Sequence, residues 1–153
     1  MRVITIVTDI AAPPETVFDL CLDVQEHAKS LGHTGERIVG GLTSGLMKLG
    51  DTLVLQGWHF GFRFKLGVKV TEYDRPHRFV DEMVSGPFKS VWHEHLFEHI
   101  PTGTRMKDTF KFAAPLGPLG LLAETLLLDR HMRRLLDRRS AHLKSLAERA
   151  TRP

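Results

Sequence analysis

Two histidines at positions i and i+2 of one predicted strand, His93 and His95, face a carboxylate, Asp108, on the next. All three lie in the segment Phe88 to Pro115, FKSVWHEHLFEHIPTGTRMKDTFKFAAP. Imidazole beside carboxylate is the pairing that fixes a tautomer, raises basicity and builds a general base. It is also how a buried histidine is simply satisfied. The segment reads as a two-strand hairpin. Val91, His93, His95 and Phe97 share one side of its first strand, and Met106, Asp108, Phe110 and Phe112 share one side of its second. The opposite sides carry Glu94 and Glu98 against Arg105, Lys107 and Lys111, a charge-matched surface for solvent. The histidines and Asp108 therefore point inward, onto an apolar surface where polar groups need partners, water or a ligand.

The neighbouring strands extend the same inner face. With Phe60-Gly61 as a two-residue turn, His59 pairs with Phe62, and Leu53, Leu55, Phe62, Phe64, Leu66 and Val68 fall on one side, leaving Arg63, Lys65 and Lys69 outside. A short connection at Gly86-Pro87-Phe88 sets Asp81 opposite His93 and Met83 opposite Val91. A tight turn at Pro101-Thr102 sets His95 opposite or diagonal to Asp108. The predicted inner wall holds His59, Asp81, His93, His95 and Asp108 among Phe62, Phe64, Phe97, Met106, Phe110 and Phe112. Three uses stay open for the polar set: a hydrogen-bonded support for the wall, direct ligand contact, or acid-base catalysis with His93 or His95 oriented by Asp81 or Asp108.

These residues need elements to place them. Arg2 to Ile10 alternates as a first strand; Pro13 and Pro14 open a short helix through Leu22, and Asp23 to Leu31 suits a second. Strands follow at Glu36 to Gly40, Thr52 to His59, Phe62 to Tyr73 and Arg78 to Ser85, before the hairpin. A helix is predicted from about Leu119 to Arg149, with Leu128, Met132, Leu135, Leu136, Leu143 and Leu146 on one stripe. Its first part, LGLLAETLLLD, with Leu122 and Leu126, is apolar nearly all round, so it should be covered on more than one side or sit over an internal hollow. Arg139 falls inside the apolar stripe, where it could reach an anionic headgroup or a carboxylate, but snorkelling to the surface or pairing with an acid such as Asp23 is the preferred reading. The strands bury their apolar faces if the sheet curls around the last helix.

At 153 residues, 42% hydrophobic and 25% charged, the chain fits one domain, 1–153. The formal charge is +3, with basic residues concentrated in DRHMRRLLDRRSAHLKSLAER. The single cysteine, Cys21, sits in an apolar run and reads as a core residue. MRVITIVTDI is too short and too evenly alternating for a secretory segment, and no apolar run approaches a membrane span, so a cytoplasmic location is the default expectation. Trp58 and Trp92 fall on faces opposite His59 and His93, for outer packing or a dimer contact. No GxGxxG, Walker, GxSxG or HExxH pattern occurs.

The order of elements, with HFG at 59–61, GPF at 86–88, WHEHLFE at 92–98, GTRMKD at 103–108 and PLGPLG at 115–120, resembles the SRPBCC (START-like, helix-grip) superfamily. More narrowly it is similar to the bacterial polyketide cyclase/dehydrase-like ligand-binding members. The resemblance implies an α+β helix-grip fold: a curved antiparallel sheet of about seven strands wrapped around a long C-terminal helix, with two short helices after the first strand. It also implies a deep cavity between sheet and helix. The Rieske-oxygenase relatives bind mononuclear iron through a longer motif that this chain lacks, so no metal and no cofactor are expected.

The leading expectation is a non-catalytic module that binds or carries a small hydrophobic molecule: a lipid, an aromatic polyketide-like compound or an isoprenoid. Its contacts would be His59, Phe62, Phe64, His93, His95, Phe97, Met106, Asp108, Phe110, Phe112, Leu122 and Leu126. The alternatives are a cyclase, dehydratase or hydrolase using a cavity His-Asp pair, and peripheral membrane attachment through LGLLAETLLL and the basic residues after it. Nucleic acid is not an expected partner, because the basic residues lack interleaved exposed aromatics.

Overall fold

In the computed structural model, residues 1–115, 117–123 and 127–153 are described, without the side chains of 120, 121 and 123. The strands are β1 (Arg2–Ile10), β2 (Arg37–Gly41), β3 (Thr52–His59), β4 (Phe62–Asp74), β5 (Arg78–Ser85), β6 (Ser90–Ile100) and β7 (Gly103–Ala113). They form one antiparallel sheet in the order β1-β7-β6-β5-β4-β3-β2. Helices α1 (Pro14–Leu22) and α2 (Val24–Ser30) follow β1, and α3 (Gly117–Ala123) and α4 (Asp129–Thr151) follow β7. This is the helix-grip arrangement, with α4 lying across the inner face of the sheet.

Local chemistry sets each joint. Pro13 precedes α1 and Pro14 occupies its first turn, where a missing N–H costs nothing. The Asp23 carboxylate accepts from the backbone N–H groups of Gln25 (3.0 Å) and Glu26 (3.1 Å), capping α2. Phe60 and Gly61 take φ of 53° and 78°, so the β3–β4 connection is a tight left-handed turn matched to strand twist. Register shifts between β4 and β5 fall at Gly67/Val68 and at Val70/Glu72, and one between β2 and β3 falls at Ile38/Gly40. Bulges of this kind bend a strand. The sheet curls there and leaves space beneath α4 that a flat sheet would close.

The sheet registers agree with strand parity. His59 pairs with Phe62, Asp81 with His93 and His95 with Asp108. The helix expected from about Leu119 to Arg149 corresponds to α3 and α4, with residues 124–126 outside the description.

Helix α4 is fastened along its length. Arg2 pairs with Asp129 at 3.2 Å and His142 Nε2 meets Glu26 Oε2 at 3.1 Å. Lys144 Nζ donates to the Asp9 carbonyl at 2.5 Å, and Glu148 Oε1 accepts from the Ala11 N–H at 3.1 Å. Beneath it lie two apolar clusters. The larger gathers Ile10, Val17, Phe18, Leu53, Val70, Phe79, Phe97, Met106 and Leu143 with their neighbours; the smaller is Ile4, Val91, Phe110, Phe112 and Leu136. Phe18 anchors the larger one, with edge-on contacts at 5.3–5.4 Å to Tyr73, Phe79 and Phe97.

Gly103 begins β7 at φ 141°, and a Cβ there would stand 2.2 Å from the Ile10 carbonyl oxygen. Gly103→Ala is therefore expected to lower unfolding stability by at least about 2 kcal/mol, seen as a lower urea midpoint at unchanged slope. An unshifted midpoint would show that the β1–β7 end yields more easily than this geometry requires.

Candidate functional site

Between the two clusters the fold encloses a cavity of about 300 Å³. Leu53, Leu55, Val68 and Val70 wall one side, and Val91, Phe110, Leu136 and Met132 the other. Its volume stands at the small end of the ~300–1,000 Å³ range of small-molecule sites. The polar lining is sparse and gathered in two places. Asp81, His93, Arg139 and His27 form one group, and Glu36, His59 and His131 the other.

The first group is the visible edge of a buried ionic network. His95 is fully buried, stacked on Phe79 with ring centroids 4.1 Å apart. Its Nε2 meets Asp81 Oδ2 at 3.0 Å, and its Nδ1 stands 2.5 Å from Asp108 Oδ1, close as an ion pair but off the line of a good hydrogen bond. Asp108 Oδ2 accepts from Ser140 Oγ of α4 at 3.3 Å. Burial pushes the His95 pKa down, but Asp108 and Asp81 outweigh it and hold the imidazole above its ordinary value. Burial likewise works against both carboxylates. His95 prevails: Asp81 falls to about 2 and Asp108 also drops well below the usual range. His95 is an imidazolium clamped between two carboxylates.

His93 differs. Its ring packs at 3.9 Å from that of His95, its Nε2 lies 3.7 Å from Asp108 Oδ1, and Nε2 has no hydrogen-bond partner among the described residues. Burial, then the positive His95, lower its pKa to about 3. His27 is held at about 3 by burial and then by Arg139. Both imidazoles are neutral.

Strand parity and cavity geometry part company for several expected contacts. His59, Phe64, Asp81, His93 and Phe110 line the cavity. His95, Phe97, Met106, Asp108 and Phe112 face inward but do not reach the lining: Phe97 and Met106 are sealed in the larger cluster, Phe112 in the smaller one with Ile4 and Leu136, and His95 and Asp108 in the ionic network. Phe62 is 68% exposed: parity places it on the inner face, but it stands at the first position of β4, beside the turn, and is left in solvent. Leu122 of α3 is 56% exposed and is not among the residues that line the cavity; Leu126 lies outside the described residues.

Residues not predicted as contacts also line it. Arg139 is 5% exposed and its Nη2 donates to the Cys21 carbonyl at 3.4 Å, not to Asp23, whose carboxylate is spent capping α2. His27, Glu36 and His131 come from segments with no alternating pattern to aim them; His131 alone carried a signal, one turn from Leu128 and Leu135 of the apolar stripe. Cys21 is a core thiol pushed up to about 12 by burial, with Sγ 3.6 Å from Met106 Sδ.

The second polar group sits by the β3–β4 turn. His59 Nδ1 and His131 Nε2 are 2.9 Å apart, tying that hairpin to α4, and the Phe60 ring lies 4.5 Å from His131. Burial lowers both pKa values, helped by His131 and His33 beside His59 and by Arg134 and His33 beside His131. Phe60 and Phe62 of this turn are exposed, and so are Leu119, Leu122 and Leu127 and the arginines Arg130, Arg133 and Arg134. Trp58 and Trp92 lie on the outer face as expected, each under its cross-strand cation: Arg63 at 5.7 Å and Lys111 at 4.4 Å.

Asp81, His93 and His95 have ligand atoms within 4.8 Å of one another, the makings of a two-histidine, one-carboxylate site. His95 Nε2 is already bound to Asp81 Oδ2 at 3.0 Å, so an ion there would have to displace that contact. Among the described residues, no helix is long and apolar enough to cross a membrane.

The family model described as polyketide cyclase / dehydrase and lipid transport matches residues 1–148. No curated protein matches the sequence. Among solved structures, a protein of Thermus thermophilus superposes with a TM-score of 0.79 at 16% identity, covering 99% of this chain and 100% of that one. An aromatase/cyclase, Zhui, from a Streptomyces species gives 0.76 at 18% identity over 99% and 96% of the two chains. Ara h 8.0201 gives 0.60 at 12% identity over 94% and 98%. At these identities the structures speak for the fold alone.

The network makes stability depend on pH with opposing signs. Neutral His93 and His27 stay unprotonated in the fold down to about 3, while the unfolded chain takes up those protons near 6.5, so both erode stability as pH falls through that window. His95 acts oppositely: its contribution is complete below about 6.5 and fades as pH rises through its elevated folded value. The two aspartates contribute above about 3.9 and lose that contribution as pH falls through their depressed values. In urea unfolding between about pH 6.5 and about pH 4, His93→Gln should lose less stability than the parent. Equal slopes for the two would mean that His93 is protonated in the folded protein.

Proposed function

This chain belongs to the polyketide cyclase/dehydrase and lipid transport family, and on that basis we propose that it binds a small hydrophobic molecule beneath α4 without transforming it. The observation that carries the reading is the space between the two apolar clusters, walled by leucine, valine and phenylalanine and polar only at its two ends. A core left unfilled loses dispersion contacts, so a fold that keeps such a space gains when an apolar guest occupies it. Affinity comes from the aliphatic and aromatic wall, and Asp81, His93 and Arg139 orient one end of the guest.

Binding is favoured over catalysis by the state of the imidazoles. His93 is the ring of the central pair that meets the cavity, and a histidine held at about 3 is a feeble base at neutral pH. His95 is the more basic ring, but it is enclosed by its two carboxylates.

Peripheral attachment to an anionic membrane is a second reading, favoured by one observation. Exposed Leu119, Leu122 and Leu127 lie next in sequence to exposed Arg130, Arg133 and Arg134, a pairing of apolar and basic groups suited to a lipid surface. Because these leucines are exposed, changing them leaves the core intact.

Two measurements check these readings. Native mass spectrometry and neutral Nile red titration of the purified chain are expected to show one bound apolar guest. Leu55→Trp, which fills the cavity, should weaken dye binding at least about tenfold at a stability cost of about 1–3 kcal/mol. Dye binding untouched by the tryptophan would place the guest elsewhere. Phosphatidylserine-containing vesicles should sediment the parent at low salt but not Leu119→Glu/Leu122→Glu; equal sedimentation of both would remove the membrane reading.

A further inference from the structure

Resting on the reading that the cavity holds an apolar guest, we propose that the hydrogen bond between His59 and His131 is a proton-sensitive tie across the cavity's opening, and that acid speeds guest exchange by breaking it. His59 ends β3 and His131 lies in the first turn of α4. Their Nδ1 and Nε2 atoms are 2.9 Å apart and the rings meet edge-on. Both histidines line the cavity, as does Phe60, which packs on His131 and is 51% exposed. A lining residue half in solvent marks where the cavity reaches the surface, so the pair stands at an opening between the β3–β4 turn and α4.

No second hydrogen bond backs this one. Helix α4 is held to β1 through Asp129 and Lys144, to α1 through Arg139, to α2 through His142 and to β7 through Ser140. Among the described residues, His131 to His59 is the one hydrogen bond that joins α4 to β3 or β4.

The chemistry of the pair makes it titrate. Between two neutral rings, one nitrogen donates its proton and the other offers a lone pair. One added proton keeps the pairing, because an imidazolium still donates to a neutral ring. A second removes the last lone pair and sets two cations against each other. The surroundings add to that repulsion: His33 acts on both rings and Arg134 on His131. Against them stands one carboxylate, Glu36, which accepts from the Thr34 hydroxyl and whose Oε2 lies 3.9 Å from His59 Nε2. Burial, more than these neighbours, holds both rings below their ordinary value while the tie is closed. Once parted, the rings meet water and titrate near ~6.5, so the open form binds more protons and gains as pH falls.

Release of Nile red from the intact chain into excess methyl-β-cyclodextrin reads the exchange rate. Between about pH 7.5 and about pH 5 the parent's release is expected to quicken about tenfold, with far-UV circular dichroism unchanged. His131→Gln carries an amide that donates to a neutral His59 and accepts from a charged one, so it should release slowly at both pH values. His131→Ala, which has no tie to lose, should release fast at both. Imidazole NMR of the parent supplies a readout that stands even if a variant fails to fold: both rings should titrate below about 6.5, in step with the release rate. A parent rate indifferent to pH, an equally steep rise in His131→Gln, or titration of both rings above about 6.5 would overturn the proposal while leaving the cavity reading intact. If no dye is retained even at about pH 7.5, the cavity reading itself falls and takes the proposal with it.

Discussion

The imidazolium of His95 held between Asp81 and Asp108 is the constraint around which the interior is arranged. A charge buried this deeply persists only when it is paired. The pairing joins elements that would otherwise be free to slide: Asp81 comes from β5, His95 from β6 and Asp108 from β7, and Ser140 extends the network to α4. Arg139, the next residue, reaches the end of α1 through the Cys21 carbonyl. Three strands and two helices thus meet at one ionic junction. Apolar contacts and the polar contacts of Asp129, His142, Lys144 and Glu148 hold α4 in place, and the junction adds Ser140 and Arg139 to them.

That junction also explains why the core is divided. Apolar side chains pack against one another wherever no polar group intervenes, and here the polar groups stand between the larger and the smaller cluster. The bulges of β4 bend the sheet away from α4 over the same region, so the gap between the clusters remains open. The cavity is the joint product of a charged seam and a bent sheet. Its walls are greasy because both clusters contribute them, and its inner end is polar because the seam surfaces there.

The outer face follows a simpler rule. Cross-strand neighbours of opposite character pair along it, with Arg105 on Asp9, Arg78 on Glu94 and Lys111 over Trp92. Such pairs contribute little individually in water, and they leave the stability to the interior. They do keep the outer surface of a long sheet solvated, and Trp58 and Trp92 stay on it by lying under a cation rather than by turning inward.

Strand alternation is a local property, and it made the element order, the facing of His93, His95 and Asp108, and the pairings Asp81 to His93 and His95 to Asp108 readable from residues alone. The connections at Gly86-Pro87-Phe88 and Pro101-Thr102 set those pairings, since a hairpin's connection determines its register. What alternation cannot express is which part of an inward face meets solid core and which meets a hollow. His95 and Asp108 are sealed, His93 touches the cavity and Phe62 runs out into solvent, although all four obey the same parity. The helical contributions were hidden for a related reason: Arg139 sat in an apolar stripe and looked like a surface cation folded back, because a helical period tells the direction of a side chain but not what stands opposite. Composition and periodicity determined the elements and their faces, since these depend on neighbours along the chain. The tertiary structure alone decided the cavity, the clamp around His95 and the contact of His59 with His131, because each arises where residues far apart in sequence are brought within a few ångströms.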